Sequence, residues 1–135
     1  MTRLRFTVVV VCVAVLAGCG TDARAETVHA GRELRGQIEL LRLVVATDRA
    51  SVPPVPYLSV TIGDAAEDLG SAGTDAAAIP DECVRAALVS IADRAVGVAR
   101  ELDGTVGDGT DQGLDQIDDR LRGLLAELDG WGVRR

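Results

Sequence analysis

The residues able to do chemistry are few: one histidine and three cysteines, with no lysine anywhere in the chain. Beyond the first 19 residues, one nucleophile–base pairing can be composed from them, Cys83 with His29. Such a dyad needs its base held beside the thiol by a third group, and nothing flanking either residue supplies one. His29 reads more simply as an exposed polar side chain near the start of a helix. Closed zinc sites take several Cys or His ligands. Phosphate loops take glycines followed by a lysine. Neither set is present. The pattern calls for no cofactor and favours a non-enzymatic chain.

The run from Asp103 to Asp115, rich in Asp, Gly and Thr, carries the other chemical hint. Calcium takes six to eight oxygen ligands, and a twelve-residue calcium loop wants glycine at its sixth position. Counting from Asp108, the sixth residue is Gly113 and the twelfth is Asp119, with Asp111 between them. Asp108, Asp111 and Asp119 are therefore the calcium candidates, against a pattern that otherwise fails. Thr110 and Gln112 stand where carboxylates are usual, and Asp119 is shorter than the expected glutamate. The competing reading is a turn followed by a helix cap, which selects the same residue types.

Cys83 and Trp131 are candidates for interaction. An unpaired cysteine packs most often as a small buried hydrophobe, and Cys83 lies at the edge of an apolar stripe. Outside the cytoplasm an odd cysteine also invites an intermolecular disulfide, which would give a homodimer. A reactive thiol is the third reading. A helix N-terminus would favour its thiolate, and Asp81 and Glu82 would oppose it. Trp131 continues the stripe of the last helix, so packing in or beside the core is expected. The functional alternative is an exposed anchor for a partner.

Near the start, Arg3 and Arg5 precede an uncharged apolar run from Phe6 to Leu16, closed by Ala17, Gly18 and Cys19. Positive charge, a short apolar run and small residues form the grammar of a secretory signal. The run is too short to span a bilayer, which takes about 20 helical residues. Leu16-Ala17-Gly18-Cys19 resembles the lipobox of bacterial lipoproteins. The resemblance covers residues 1–19 and implies cleavage between Gly18 and Cys19, with the Cys19 thiol receiving a diacylglyceryl group. It implies a signal peptide over 1–18, a lipidated tether over 19–26 and a folded domain over 27–135. The place implied is the extracytoplasmic face of the cell membrane. Two acyl chains suffice for stable anchoring, so no basic patch is required.

Helical periodicity dominates the remainder. The first helix is expected from about Ala25 to Asp48, with Leu34, Ile38, Leu41 and Val45 on one stripe, widened by Leu40 and Val44. Arg35, Glu39 and Arg42 lie opposite, spaced for pairing within the helix. Pro53, Pro54 and Pro56 make a stiff connector. Tyr57 to Leu69 mixes strand formers with helical spacing. Pro56 suits a helix start and Gly70 a stop, and a lone strand would lack a partner, so a short helix is expected, followed by a loop over 70–78. A third helix begins near Pro80, with the stripe Val84, Leu88, Ile91, Ala95, Val98 and Leu102. A loop over 103–113 precedes a fourth helix from Asp111 to Asp129, striped by Leu114, Ile117, Leu121, Leu124 and Leu128. Steps alternating three and four residues are the period of helices that wrap around one another. The expected class is all-α: a small antiparallel three- to four-helix bundle after a cleaved signal peptide.

The chain has 135 residues and a formal net charge of −7, and losing Arg3 and Arg5 would take it to −9. Nucleic acid is excluded as a partner by this balance, since phosphate binding needs clustered positive charge. The acids of the fourth helix, Asp115, Asp118 and Asp119, read as a solvated face. The functional expectation is a lipid-anchored module that binds or organises another envelope protein. The alternative is a binder of a small apolar, lipid-like molecule in a groove between helices.

Overall fold

The computed structural model describes residues 2–50 and 54–132, with side chains from Arg24 onward. Its elements are α1 (Thr2–Arg49), α2 (Val55–Ala76), α3 (Glu82–Thr105) and α4 (Asp111–Gly130). The chain is all-α, and its four helices pack as a small bundle. α1 and α3 each pack on α2 and on α4, and α1 also touches α3 across the diagonal. Cross-helix pairs show the directions. Arg35 and Arg49 of α1 meet Asp129 and Asp115 of α4, so the two helices run antiparallel. Arg94 and Glu101 of α3 meet Glu127 and Arg120 of α4 in the same reversed order.

Each helix buries an apolar stripe at the expected spacing. Leu34, Ile38 and Leu41 of α1 are wholly buried, as are Leu88, Ile91 and Leu102 of α3 and Leu121 and Leu128 of α4. Burying one such side chain contributes about 1.5–3 kcal/mol, so these stripes supply the main drive to fold. Leu40 packs at the margin of the core and Val44 inside it, as the wider α1 stripe requires.

Residues 57–69 are helical, and α2 is longer than expected. It does not stop at Gly70 but runs on to Ala76, so most of the loop anticipated over 70–78 is helix. The reason is burial. Leu58, Ile62, Ala65, Leu69, Ala72 and Ala76 form one continuous buried stripe with steps of four and three. A glycine costs a helix about 1 kcal/mol relative to alanine, less than the packing of the turns beyond it. At Gly73 the glycine has a use. A Cβ built there would lie 3.0 Å from the Ala92 Cβ of α3, so α2 and α3 approach closely at that level. The start of α2 follows the proline logic. Pro54 is extended, and Val55 and Pro56 form the first turn, where a missing N–H is harmless.

The true α2–α3 connection covers 77–81, and Ile79 plugs it into the core with 1% exposure. Arg85 donates to the Ile79 carbonyl at 3.0 Å and holds the plug. α3 starts at Glu82, two residues after Pro80, because Asp81 caps it by accepting from the Val84 N–H at 3.0 Å. α3 continues to Thr105, so the following loop shrinks to 106–110. Val106 is buried there, and Gly107 takes a φ of +86°. A Cβ on Gly107 would lie 2.8 Å from the Val55 side chain, which presses this loop against the start of α2. Gly132 follows α4 with a φ of +77°, the left-handed stop that glycine favours after a helix.

The antiparallel order gives the bundle two unlike ends. Residues 24–30, the 77–81 connection and Trp131 lie at one end. The 106–110 loop and the start of α2 lie at the other.

Candidate functional site

The most elaborate polar arrangement is the seam between α1 and α4. Arg35, Arg42 and Arg49 stand seven residues apart on α1, so they share one face. Each meets an aspartate of α4: Arg35 with Asp129, Arg42 with Asp118 and Arg49 with Asp115. Arg42 Nε donates to Asp118 Oδ1 at 2.8 Å, and Arg122 reaches the other oxygen, Oδ2, at 2.9 Å. Asp118 is 8% exposed, the buried charge of the described core. Burial pushes its carboxyl pKa up. The Arg42 hydrogen bond, with the positive charges of Arg42, Arg122 and Arg49, outweighs this and leaves it below the usual aspartate range. The same hydrogen bond raises the Arg42 guanidinium pKa against the opposing effect of burial.

The seam corrects two expectations. Arg35 does approach Glu39 within its own helix, at 3.8 Å, but Arg42 turns to another helix. The α4 acids are not simply a solvated face, because Asp115 and Asp118 join α4 to α1.

Between α3 and α4 lies a cleft of about 380 Å³. Gly97 and Gly123 leave it open, since a Cβ on either would meet nothing within 4 Å. Its floor is Val98 and Leu124, and Arg94, Arg120 and Glu127 rim it. Arg94 grips Glu127 with both terminal nitrogens, at 2.7 and 2.5 Å. That hydrogen bonding lowers the Glu127 pKa and raises the Arg94 pKa, with burial opposing both shifts. Arg120 pairs with Glu101.

The calcium candidates Asp108, Asp111 and Asp119 do not share one loop. Helix α4 begins at Asp111, capped by Thr110, whose hydroxyl accepts from the Gly113 N–H at 3.2 Å. Asp111 and Asp119 then sit on one helix, about 12 Å apart along its axis, and cannot close around an ion. No group of three or more His, Cys, Asp or Glu among the described residues is arranged to hold a metal.

Cys83 is exposed rather than buried. It occupies the first turn of α3, one residue outside the stripe, so its side chain leaves the core. His29 is exposed on α1 with Glu33 as its charged neighbour, 3.9 Å away. Trp131 is 43% exposed at the end of α4, which places it on the rim rather than within the core. The other large exposed apolar residues, Leu43, Val55, Tyr57 and Val60, lie on the last turns of α1 and the first turns of α2. Leu43, Tyr57 and Val60 are each more than 60% exposed. The 57–60 positions carried the strand-like composition in the sequence, and their outward β-branched and aromatic side chains account for it. Gly18 and Cys19, the residues of the lipobox resemblance, lie outside the described side chains. Residues 24–26, expected in the tether, are helical in α1. Among the described residues no helix is long and apolar enough to cross a membrane.

No protein family, curated protein or solved structure matches the chain.

Proposed function

We propose that this chain is a lipid-anchored, extracytoplasmic helical module that binds or organises another envelope protein and catalyses no reaction. The anchor is a diacylglyceryl group on the Cys19 thiol, with cleavage between Gly18 and Cys19. The support for it is the Leu16-Ala17-Gly18-Cys19 run at the end of a charged and then apolar segment. The observation that carries the binding role is the set of outward apolar residues. Leu43, Tyr57 and Val60 contribute nothing to the core, and they stand toward the end of the bundle remote from Cys19. Burying a few such side chains against a partner is the usual source of protein–protein affinity.

The test is crosslinking and pull-down from intact membranes, with Cys19→Ala as the unanchored control. A discrete partner should be recovered with the native chain and lost with Leu43→Asp/Val60→Asp, while the variant keeps its helicity. Recovery unchanged by that variant would remove the role given to this surface. Turnover of a substrate by the purified domain would remove the non-enzymatic reading.

One feature favours a second reading, a binder of a small apolar, lipid-like molecule. It is the cleft between Gly97 and Gly123. Its floor residues Val98 and Leu124 are already 2% and 4% exposed, so it offers a ligand little apolar area, and this reading ranks below the first. Native mass spectrometry separates them. A co-purifying small molecule favours the cleft, and a single clean protein mass favours the partner surface.

A further inference from the structure

We infer that the outward face of α2 takes a basic, amphipathic helix of another protein, laid along Tyr57, Val60, Asp64 and Glu67, a reading that rests on the proposed partner surface of Leu43, Tyr57 and Val60. The four α2 residues stand at steps of three, four and three, and all are exposed. They form a second stripe, turned away from the buried one that begins at Leu58. Their period is the one at which helices read each other. A helix alongside would meet an apolar half, Tyr57 and Val60, and then an acidic half, Asp64 and Glu67, within about 15 Å.

Leu43 of α1 completes the apolar half. Gln37 donates to Asp68 at 3.0 Å, and Glu26 and His29 share a hollow with Thr74, Asp75 and Ala78, so α1 and α2 run antiparallel. Leu43 is then level with about Ile62, between Val60 and Asp64. Leu43 and Val60 are each 63% exposed.

The charge of this face is one-sided. α2 carries Asp64, Glu67, Asp68 and Asp75 and contains no arginine, lysine or histidine, whereas each of the other helices contains arginines. Arg35, Arg42 and Arg49 of α1 turn toward α4, where aspartates hold them. Asp48 adds an acid in a hollow it shares with Val55. Arg32 is level with about Gly73, beyond the acids, and Glu33 follows it. Gly73 faces Ala92, so Arg100 of α3 is level with about Ala65 on the opposite flank of α2, with Asp93 and Asp103 on its own helix. Acids therefore outweigh bases around the stripe. Apolar burial supplies affinity, and the acids select a partner whose apolar stripe is flanked by lysine or arginine. A second copy would bring the same acids and be repelled, as would an anionic lipid surface.

The test is a photo-crosslink from this face in intact membranes. Val60→benzoylphenylalanine is placed in the full chain, and the captured peptide is sequenced by mass spectrometry. The expected adduct is a peptide of another protein that is net basic within two helical turns of the crosslink. Asp64→Asn/Glu67→Gln/Asp68→Asn in the same chain should lower the yield about tenfold, as the loss of three rim charges allows, with circular dichroism unchanged. A neutral or acidic peptide of another protein overturns the basic partner and leaves the proposed partner surface standing. So does a yield that the three neutral substitutions leave unmoved. Lipid, a second copy of this chain or no adduct overturns both.

Discussion

Arg42 and Asp118, 76 residues apart in sequence, meet at 2.8 Å across the α1–α4 seam. The aspartate is buried and the arginine half-buried, so the contact is one of the few polar links whose partners are substantially shielded from solvent. A buried carboxylate without a partner is costly, whereas the paired one contributes modestly to net stability. The pair therefore acts mainly as a selector of register. The observed setting of α1 against α4 brings Arg42 to Asp118, while Arg122 of α4 reaches the same carboxylate from its own helix.

Removing one partner should show this. Arg42→Ala should cost about 1–3 kcal/mol in urea unfolding, tempered by Arg122, which still reaches Asp118. Replacing both partners with leucine should cost less than Arg42→Ala alone, because no buried charge is then left over. Equal losses in the two variants would show that the seam works by packing alone.

The pH dependence follows from the same carboxyl. The folded-state pKa of Asp118 lies below its ordinary value near 3.8. The contribution is therefore fully present above that ordinary value and is lost as pH falls through the folded-state value. Glu127, also held below its ordinary value by Arg94, adds a smaller loss of the same sign, since it is half exposed. Unfolding followed by circular dichroism across this acid range should show a shallower pH slope in Asp118→Asn than in the native chain.

Two glycines of α2, one turn apart, should respond in opposite directions. Gly70 has open space where a Cβ would stand, so Gly70→Ala should stabilise the helix by about 0.5–1 kcal/mol. Gly73 faces Ala92 at 3.0 Å, so Gly73→Leu should cost about 1–3 kcal/mol by overpacking. Thermal melts of the two variants check both signs.

Thr110 should behave as a helix cap and not as a metal ligand. Thr110→Ala should lower stability by about 1 kcal/mol, and millimolar calcium should leave the melting temperature of either protein unchanged. A rise with calcium, reversed by a chelator, would show that the acidic loop closes around an ion in spite of the α4 cap.

Cys83 should react with a maleimide in the native, Cys19→Ala mature chain as fast as in the urea-unfolded one. Slow native labelling would place the thiol back inside the core.

The architecture was legible where one helix's own spacing decides it. The steps of three and four from Leu34 to Val45 and from Leu114 to Leu128 announce helices with a single apolar stripe; the expected ends at Asp48 and Asp129 fall one residue short of those observed, while α1 begins at Thr2 and not near Ala25. Gly70 misled because a glycine stop is a local signal, while Leu69, Ala72 and Ala76 pay for its continuation through contacts with other helices. Cys83 was ambiguous for a related reason. It sits one residue off its stripe, and only the cap at Asp81 fixes which way the first turn faces. The roles of Asp115 and Asp118 were not legible at all. Their partners stand 66 and 76 positions away, and nothing local distinguishes an aspartate in a seam from one in water. The same holds for Ile79, a core residue within a connection.

The parity of the helices has a practical consequence. Four antiparallel legs return the polypeptide to the level at which it set out. An epitope tag spliced in at Gly132 would emerge beyond the Arg35–Asp129 pair. One spliced into residues 106–110 would emerge the length of α4 away, about 30 Å for its 20 residues. Antibodies to the two tags would approach opposite ends of the bundle and would not compete.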